Sequence, residues 1–364
     1  MIVFKTQLFK GWCLPSLFLL IAVPIKAEPL QPYFKATTQL YSPSISLLHI
    51  EDWRGRHDSK GDIALASGWL ESGVKTPNNW RHGLVYRFDK SYQYSPATSE
   101  LYYQIQNHKS LKIDKHYSLK LHLSEFRAHG FRVAKTMYYA NNHQIEAGAS
   151  ILKADRLMYA DIQGNAHILT ESSYDYSVQA NYQYYRDTLF GRTDFTKPKG
   201  RGYTIDFSFL GQINQHLYYQ LHIKDAFGKL YWQEAPHTIG QAQPVKTYTD
   251  ADGYFHAESA LSGQEGYKTL YQKLKLAWVG TVHYKKYKYT LDIGAQSLGD
   301  GSQLGFGLSM PISNWAADTS LFYWSKSKEL VVSVNKKPWT LYLGTNSTQS
   351  NQINALRIGL DYAY

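Results

Sequence analysis

Arg357-Ile358-Gly359-Leu360-Asp361-Tyr362-Ala363-Tyr364 closes the sequence and alternates without a break. Successive side chains of an extended chain point to opposite faces. Ile358, Leu360, Tyr362 and Tyr364 therefore share one face of a strand, and Arg357, Gly359, Asp361 and Ala363 share the other. A half-buried strand of a soluble protein also alternates. It rarely ends on an outward aromatic with a glycine five residues earlier.

This stretch resembles the terminal signal by which Gram-negative bacteria recognise and insert outer-membrane β-barrels. The match falls on the polar position, on Gly359, on Leu360 and on the aromatics Tyr362 and Tyr364. The resemblance covers only the last strand. It implies a porin-like transmembrane barrel in the bacterial outer membrane, with the barrel-insertion machinery, outer-membrane lipid and lipopolysaccharide as partners, and it implies no particular substrate.

Working outward, the other end of the chain reads as an export address. Lys5 and Lys10 precede an apolar run from Trp12 to Ile25, and Ala27 offers a cleavage point, so residues 1–27 are expected to be a signal peptide. An uncleaved anchor is the alternative, weakened by Pro15, Pro24 and a length short of the roughly 20 residues of a spanning helix. The single cysteine, Cys13, would leave with the peptide, taking disulfide, thiolate and cysteine–metal chemistry with it. The formal charge of +10 includes Lys5, Lys10 and Lys26, and the remaining excess suits anionic headgroups. Export argues against nucleic acid as a partner.

Beyond residue 27 no apolar run reaches 18 residues, whereas period-two alternation recurs along most of the chain. Tyr117, Leu119, Leu121 and Leu123 alternate with Ser118, Lys120, His122 and Ser124; Tyr203, Ile205, Phe207 and Phe209 alternate with Thr204, Asp206 and Ser208. Tyr is present 31 times and aromatics make up 15% of the chain, which fits the outward bands and interfacial girdles of a membrane barrel. A secreted β-sandwich or propeller is the soluble alternative. Loop lengths favour the barrel. Counted back from the last strand, links around residues 335–338, 285–286, 212–215, 163–165 and 140–142 are short and fall on the periplasmic side. The longest, 228–268 and 188–201, fall outside. Candidate strands begin near residues 36, 62, 80, 99, 117, 131, 143, 156, 166, 202, 216, 270, 287, 303, 318, 328, 338 and 353. The expected fold is all-β: one transmembrane antiparallel barrel of 16–18 strands over residues 28–364, with 28–77 alternatively a periplasmic or lumenal segment.

Candidate chemistry is sparse. His216 and His222 share a strand face but lie roughly 20 Å apart, too far to hold one metal ion. His116-Tyr117-Ser118 resembles the acting pair of outer-membrane lipid A deacylases over three residues only, with no carboxylate at a matching position. Asp250 and Asp252 read as a solvated turn, because no Glu follows at calcium-loop spacing. Lys197, Lys199 and Arg201 form a basic stretch suited to lipopolysaccharide phosphates or simply to water. No cofactor is expected, and no catalytic residue or metal ligand is assigned.

A barrel this wide leaves an interior that wall side chains do not fill. The expected function is accordingly a channel for small polar solutes, not an enzyme. Its alternatives are a structural or interaction barrel of the envelope and a barrel enzyme acting on lipid or protein. Expected lumen-lining residues are Lys120, His122, Asp206, His222, Lys273, Lys275, Lys288, Asp292 and Arg357. With Lys224 added to the bases and Asp175 and Asp361 to the acids, the inward charge slightly favours anions.

Overall fold

In a computed structural model, residues 30–49, 63–140, 142–187, 191–249, 255–312 and 317–363 are described. The expected signal peptide, Asp250, Asp252 and Tyr364 lie outside them.

The chain forms β1 (Gln31–Tyr41), β2 (Ile63–Lys75), β3 (Trp80–Tyr94), helix α1 (Pro96–Gln106), β4 (His116–Tyr139), β5 (His143–Ile168), β6 (Tyr174–Tyr184), β7 (Lys199–Asn214) and β8 (Leu217–Thr249). It continues through β9 (Phe255–Lys273), β10 (Ala277–Lys286), β11 (Tyr289–Leu298), β12 (Gly301–Ile312), β13 (Ala317–Trp324), β14 (Glu329–Lys336), β15 (Trp339–Thr345) and β16 (Ala355–Ala363). All pairs are antiparallel. β16 pairs with β1 from Tyr33↔Ala363 to Tyr41↔Ala355, which closes the sheet. Fourteen strands complete the ring, because β5 passes directly to β7, and β8 directly to β10. Every wall strand thus finds a partner on both sides, the condition for crossing a bilayer with strands.

β6 and β9 stand above that ring. β4, β5 and β8 run on past the wall, and β6 and β9 pair only with these overhangs, giving a five-strand flap ordered β4-β5-β6-β8-β9. The short links at residues 76–79, 140–142, 215–216, 287–288 and 337–338 all lie at the opposite end, beside the termini of β1 and β16.

Several expected boundaries are corrected. The strands read near residues 36 and 62 are the wall strands at 31–41 and 63–75, so the alternative of a separate segment does not apply to them. The positions 117 and 131 belong to one 24-residue strand, and 143, 156 and 166 to one 26-residue strand, so 163–165 lies high in the flap and is not a turn. A bulge opposite Arg127 and Ala128 causes the misreading: the extra residue, Asp155, reverses the alternation phase without ending the strand. Merged strands, the helix near residue 99 and the placing of β6 and β9 in the flap together lower the count from the expected 16–18 to fourteen. Residues 228–249 and 255–268 belong to the β8–β9 hairpin rather than to a loop. Near residue 99 the chain is helical. Ser95 accepts the Thr98 N–H at 3.1 Å and Pro96 starts the helix with the one residue that lacks an N–H to satisfy.

The two faces of the wall differ in chemistry. Leu291, Ile293, Leu304, Phe306, Leu308, Met310, Leu321, Leu330, Val332, Leu341, Leu343 and Ile358 are exposed on the outward phase of β11–β16. On the other side Leu84, Phe131, Ile151, Tyr203 and Phe227 continue the belt. A contiguous apolar band of this extent is stable against lipid rather than water. At the turn end it is edged by Trp80, Tyr139, Tyr284, Tyr289 and Trp339. This closed sheet is expected to migrate at two gel positions, folded in detergent at room temperature and unfolded after boiling. A single position under both conditions would contradict closure.

Candidate functional site

The interior separates into a filled half and a lined half. Along one hydrogen-bonded row the inward residues are Trp69, Arg87, Ala128, Ala154, Gly200, Trp232 and Leu270. Large side chains at the ends of this row meet over small ones at its centre. A Cβ on Gly200 would lie 2.7 Å from the Trp232 ring, so only glycine leaves the indole its place. Trp69, Phe126, Leu152, Leu157, Leu230, Trp232 and Leu274 form a dry core inside the barrel beside β2–β9.

Beneath and beside that core runs a continuous ionic network. Arg87 is 1% exposed, donates to both Asp225 oxygens at 2.7 and 2.8 Å, and reaches Asp89. Its guanidinium also lies 5.4 Å from the Trp69 ring and 5.0 Å from Phe126. Asp225 sits at the β8 register shift with φ of 55°, a left-handed conformation that Asp tolerates better than most residues, and this turns its carboxylate inward. Its backbone N–H donates to Asp206, which faces Arg132; Arg132 pairs with Glu71 and Glu146, and Glu146 pairs with Arg81. Tyr33 donates to Glu71 at 2.7 Å. Buried ion pairs of this kind persist when each charge has several partners.

Opposite, β11–β16 and β1 present small groups. Phe322 lies flat over Gly294, Gly305 and Gly307, and Tyr342 lies over Gly359, where a Cβ would meet the ring at 1.9 Å. Gly359, read above as part of an insertion signal, therefore also makes room for a ring against the wall. Ser309, Ser320, Ser333 and Thr37 continue this surface on the inward phase. Towards the flap end Arg357 bridges Glu329 at 3.1 and 3.2 Å and Gln296 at 3.0 Å. Lys35, opposite Glu71 and Asp361 in register, is exposed and makes no ion pair among the described residues.

A cavity opens at each end. A basin of about 760 Å³ at the flap end is lined by Gln93, Lys120, His122, Asp161, Asp300 and Lys326 among others. Its acids are occupied: His122 meets Asp161 at 2.6 Å, and Lys275 and Gln93 meet Asp300. Lys120 and Lys326 are exposed without ion pairs among the described residues. At the turn end a recess of about 160 Å³ is lined by Tyr33, Lys75, Arg81, Gln144 and Glu146.

Of the residues expected in the lumen, Asp206, His222, Asp292 and Arg357 face the interior, and Lys120, His122 and Lys275 stand around the basin. His222 is 2.9 Å from Ser208, and Asp292 is 2.6 Å from His283. Two depart from expectation. Lys273 pairs in register with Lys229 on the outward phase, because its neighbours Gln272 and Leu274 fill the inside. Lys288 lies in the β10–β11 turn, over Tyr289. The reading from sequence missed Lys35, Glu71, Arg87, Arg132, Glu146 and Asp225. Tyr86-Arg87-Phe88-Asp89 carries the available signal, alternating aromatic and charged residues.

His116 stacks on His167 with centroids 4.1 Å apart, and among the described residues it makes no hydrogen bond to Ser118. Among these residues, no group of three or more His, Cys, Asp or Glu side chains is placed to hold a metal ion. Asp175, counted above with the inward acids, lies in the flap on β6, opposite His167.

No protein-family model and no curated protein matches the chain. Among solved structures it is similar to a TodX deltaS2S3 mutant described as a monoaromatic hydrocarbon channel, with 8% identity over 92% of this chain and 90% of that one, at a TM-score of 0.44. It is also similar to the P. putida toluene transporter TodX, with 11% identity over 92% and 90% at a TM-score of 0.32. A third is the outer membrane protease OmpT from Escherichia coli, with 8% identity over 94% and 99% at a TM-score of 0.26. The class of this chain follows from its own geometry. It is a closed, fourteen-stranded transmembrane antiparallel barrel with an apolar outside and a half-filled, ion-paired inside.

Proposed function

We propose that the protein is an outer-membrane channel that passes small polar solutes along the lined half of its interior, with a weak preference for anions. The carrying observation is the asymmetry of the inside: β2–β9 contribute a dry core and locked ion pairs, whereas β11–β16 and β1 contribute glycines, hydroxyls and rings laid against the wall. The flap end is taken as external, because the short turns lie opposite. A solute then meets the basin with Lys120 and Lys326, passes Arg357, and reaches Lys35 and the inner recess.

The reason for anion preference moves with the structure. Charges locked in pairs contribute little net field, which leaves the exposed Lys35, opposite Asp361 in register, with Lys120 and Lys326 of the basin, as a small net positive balance along the path. Lumenal charge is screened over about 8 Å at physiological salt, so the bias should be small and should grow as salt is lowered. Lys35→Glu is expected to shift the reversal potential of planar-bilayer recordings towards cation selectivity, and Lys273→Glu, on the outward face, to leave it unchanged. A shift with Lys273 and none with Lys35 would reject this path, and absence of any conductance would favour the structural barrel.

A further inference from the structure

One group of outward-facing cations lies on the wall directly above the apolar belt, on the flap side. On β5, β7, β8 and β9, the residues just above the apolar belt towards the flap are basic, Lys153, Arg201, Lys229 and Lys273; on β4, His129 is opposite Lys153 and Arg127 comes two residues further towards the flap. Their positions follow from register. Ile151, Tyr203 and Phe227 are belt residues, and Lys153, Arg201 and Lys229 each come two residues later in the direction of the flap on their own strands. Lys153 is opposite Arg201 in register, and Lys229 is opposite Lys273.

Few acids oppose them: Glu234, exposed at the β8 register shift above Tyr231, is the nearest acid without an ion pair among the described residues. Asp155 is held by Arg127 at 2.8 Å, while Glu125 is paired with Lys90 and Glu265 with Arg192, both higher in the flap. Lys153, Arg201, Lys229 and Lys273 make no ion pair among the described residues. Two of them rest on aromatic rings, Arg201 5.7 Å from the Tyr231 centroid and Lys229 4.2 Å from Tyr271, which holds them beside the wall. Adjacent strands are about 4.8 Å apart, so the four unpaired cations, on β5, β7, β8 and β9, span roughly 14 Å, room for more than one phosphate group.

We propose that this cluster binds the phosphorylated headgroup of an outer-leaflet glycolipid, with the acyl chains lying on the belt below. The inference rests on the membrane placement above but not on conduction. Its occupant is argued from charge complementarity and from continuity with the apolar belt: a ligand here must carry anionic groups directly joined to hydrocarbon. Arg and Lys hold phosphate by charge-assisted hydrogen bonds, and the low-dielectric boundary strengthens them.

The test uses the purified full-length protein in neutral detergent and native mass spectrometry with bis-phosphorylated lipid A, the same lipid after phosphatase treatment, and phosphatidylglycerol. The expected result is retention of phosphorylated lipid A alone. The triple variant Lys153→Gln, Arg201→Gln, Lys273→Gln should bind it about a hundredfold more weakly, since each surface cation contributes roughly fivefold. Lys288→Gln with Lys336→Gln, at the opposite end, should bind as the parent does. Two gel positions for the triple variant would establish that it is folded; if it is not, the single Lys273→Gln variant, on an exposed side chain, takes its place with about a fivefold loss. Equal retention of dephosphorylated lipid A or phosphatidylglycerol, or an unweakened folded variant, would overturn the proposal. Loss of conductance with lipid binding intact would affect only the channel reading.

Discussion

Arg87→Ala is expected to destabilise the barrel by about 3–5 kcal/mol, the usual cost of removing one partner from a buried ion pair. Among the described residues Asp225, itself 3% exposed, would keep only Thr204 at 2.6 Å as a side-chain donor, and it would lose its ion-pair partner. The same substitution removes the side chain that lies between Trp69, Phe126 and Asp225, so it should also raise single-channel conductance. Arg87→Met separates the two effects. It keeps most of the volume and none of the charge, and should lose comparable stability with little gain in conductance. Stability is read from the urea concentration at which the folded gel band disappears. An unchanged midpoint for both variants would show that the network does not hold the wall strands together.

Deleting Tyr364 together with Tyr362→Ala is expected to abolish insertion, leaving little or no protein in the outer membrane. Tyr362 is paired in register with Trp339 at the turn end of β15, with ring centroids 4.6 Å apart, and it faces outward beside the belt. The pair fixes the last strand against its neighbour at the level where aromatic rings favour the interface. β16 also closes the ring on β1 through nine paired residues, so a misplaced last strand leaves two open edges in lipid. Normal outer-membrane levels of the double variant would sink this reading. Removal of Trp339 alone should be milder, because the main-chain pairing of β15 with β16 remains.

The difference between Lys273 and Asp292 shows how far alternation can be read. Both are polar positions in alternating stretches, and both were assigned inward by the same rule. The rule holds for Asp292 because Leu291 and Ile293 face hydrocarbon, which forces their polar neighbour inside. It fails for Lys273 because that residue lies above the belt, where the barrel is filled with Leu230, Trp232 and Leu274 and the outside is polar. One chain thus changes the sense of its alternation with height, apolar-out in lipid and apolar-in above it. Nothing local to residues 270–275 announces the change.

The sequence by itself determined that the chain forms alternating strands, that the last of them is amphipathic and edged with aromatics, and that no long apolar helix follows residue 27. Those properties are periodic and local, so they survive without knowledge of partners. Tertiary structure alone decided the ring of fourteen, the flap, and which half of the interior is filled. Each depends on register between strands: one bulge at Asp155 turns the overhang of β5 inside out, and residues as distant as Arg87 and Asp225 meet only once small residues at 128, 154 and 200 let the large ones converge. Spacing along the chain does not record which residues will lie side by side across a closed sheet.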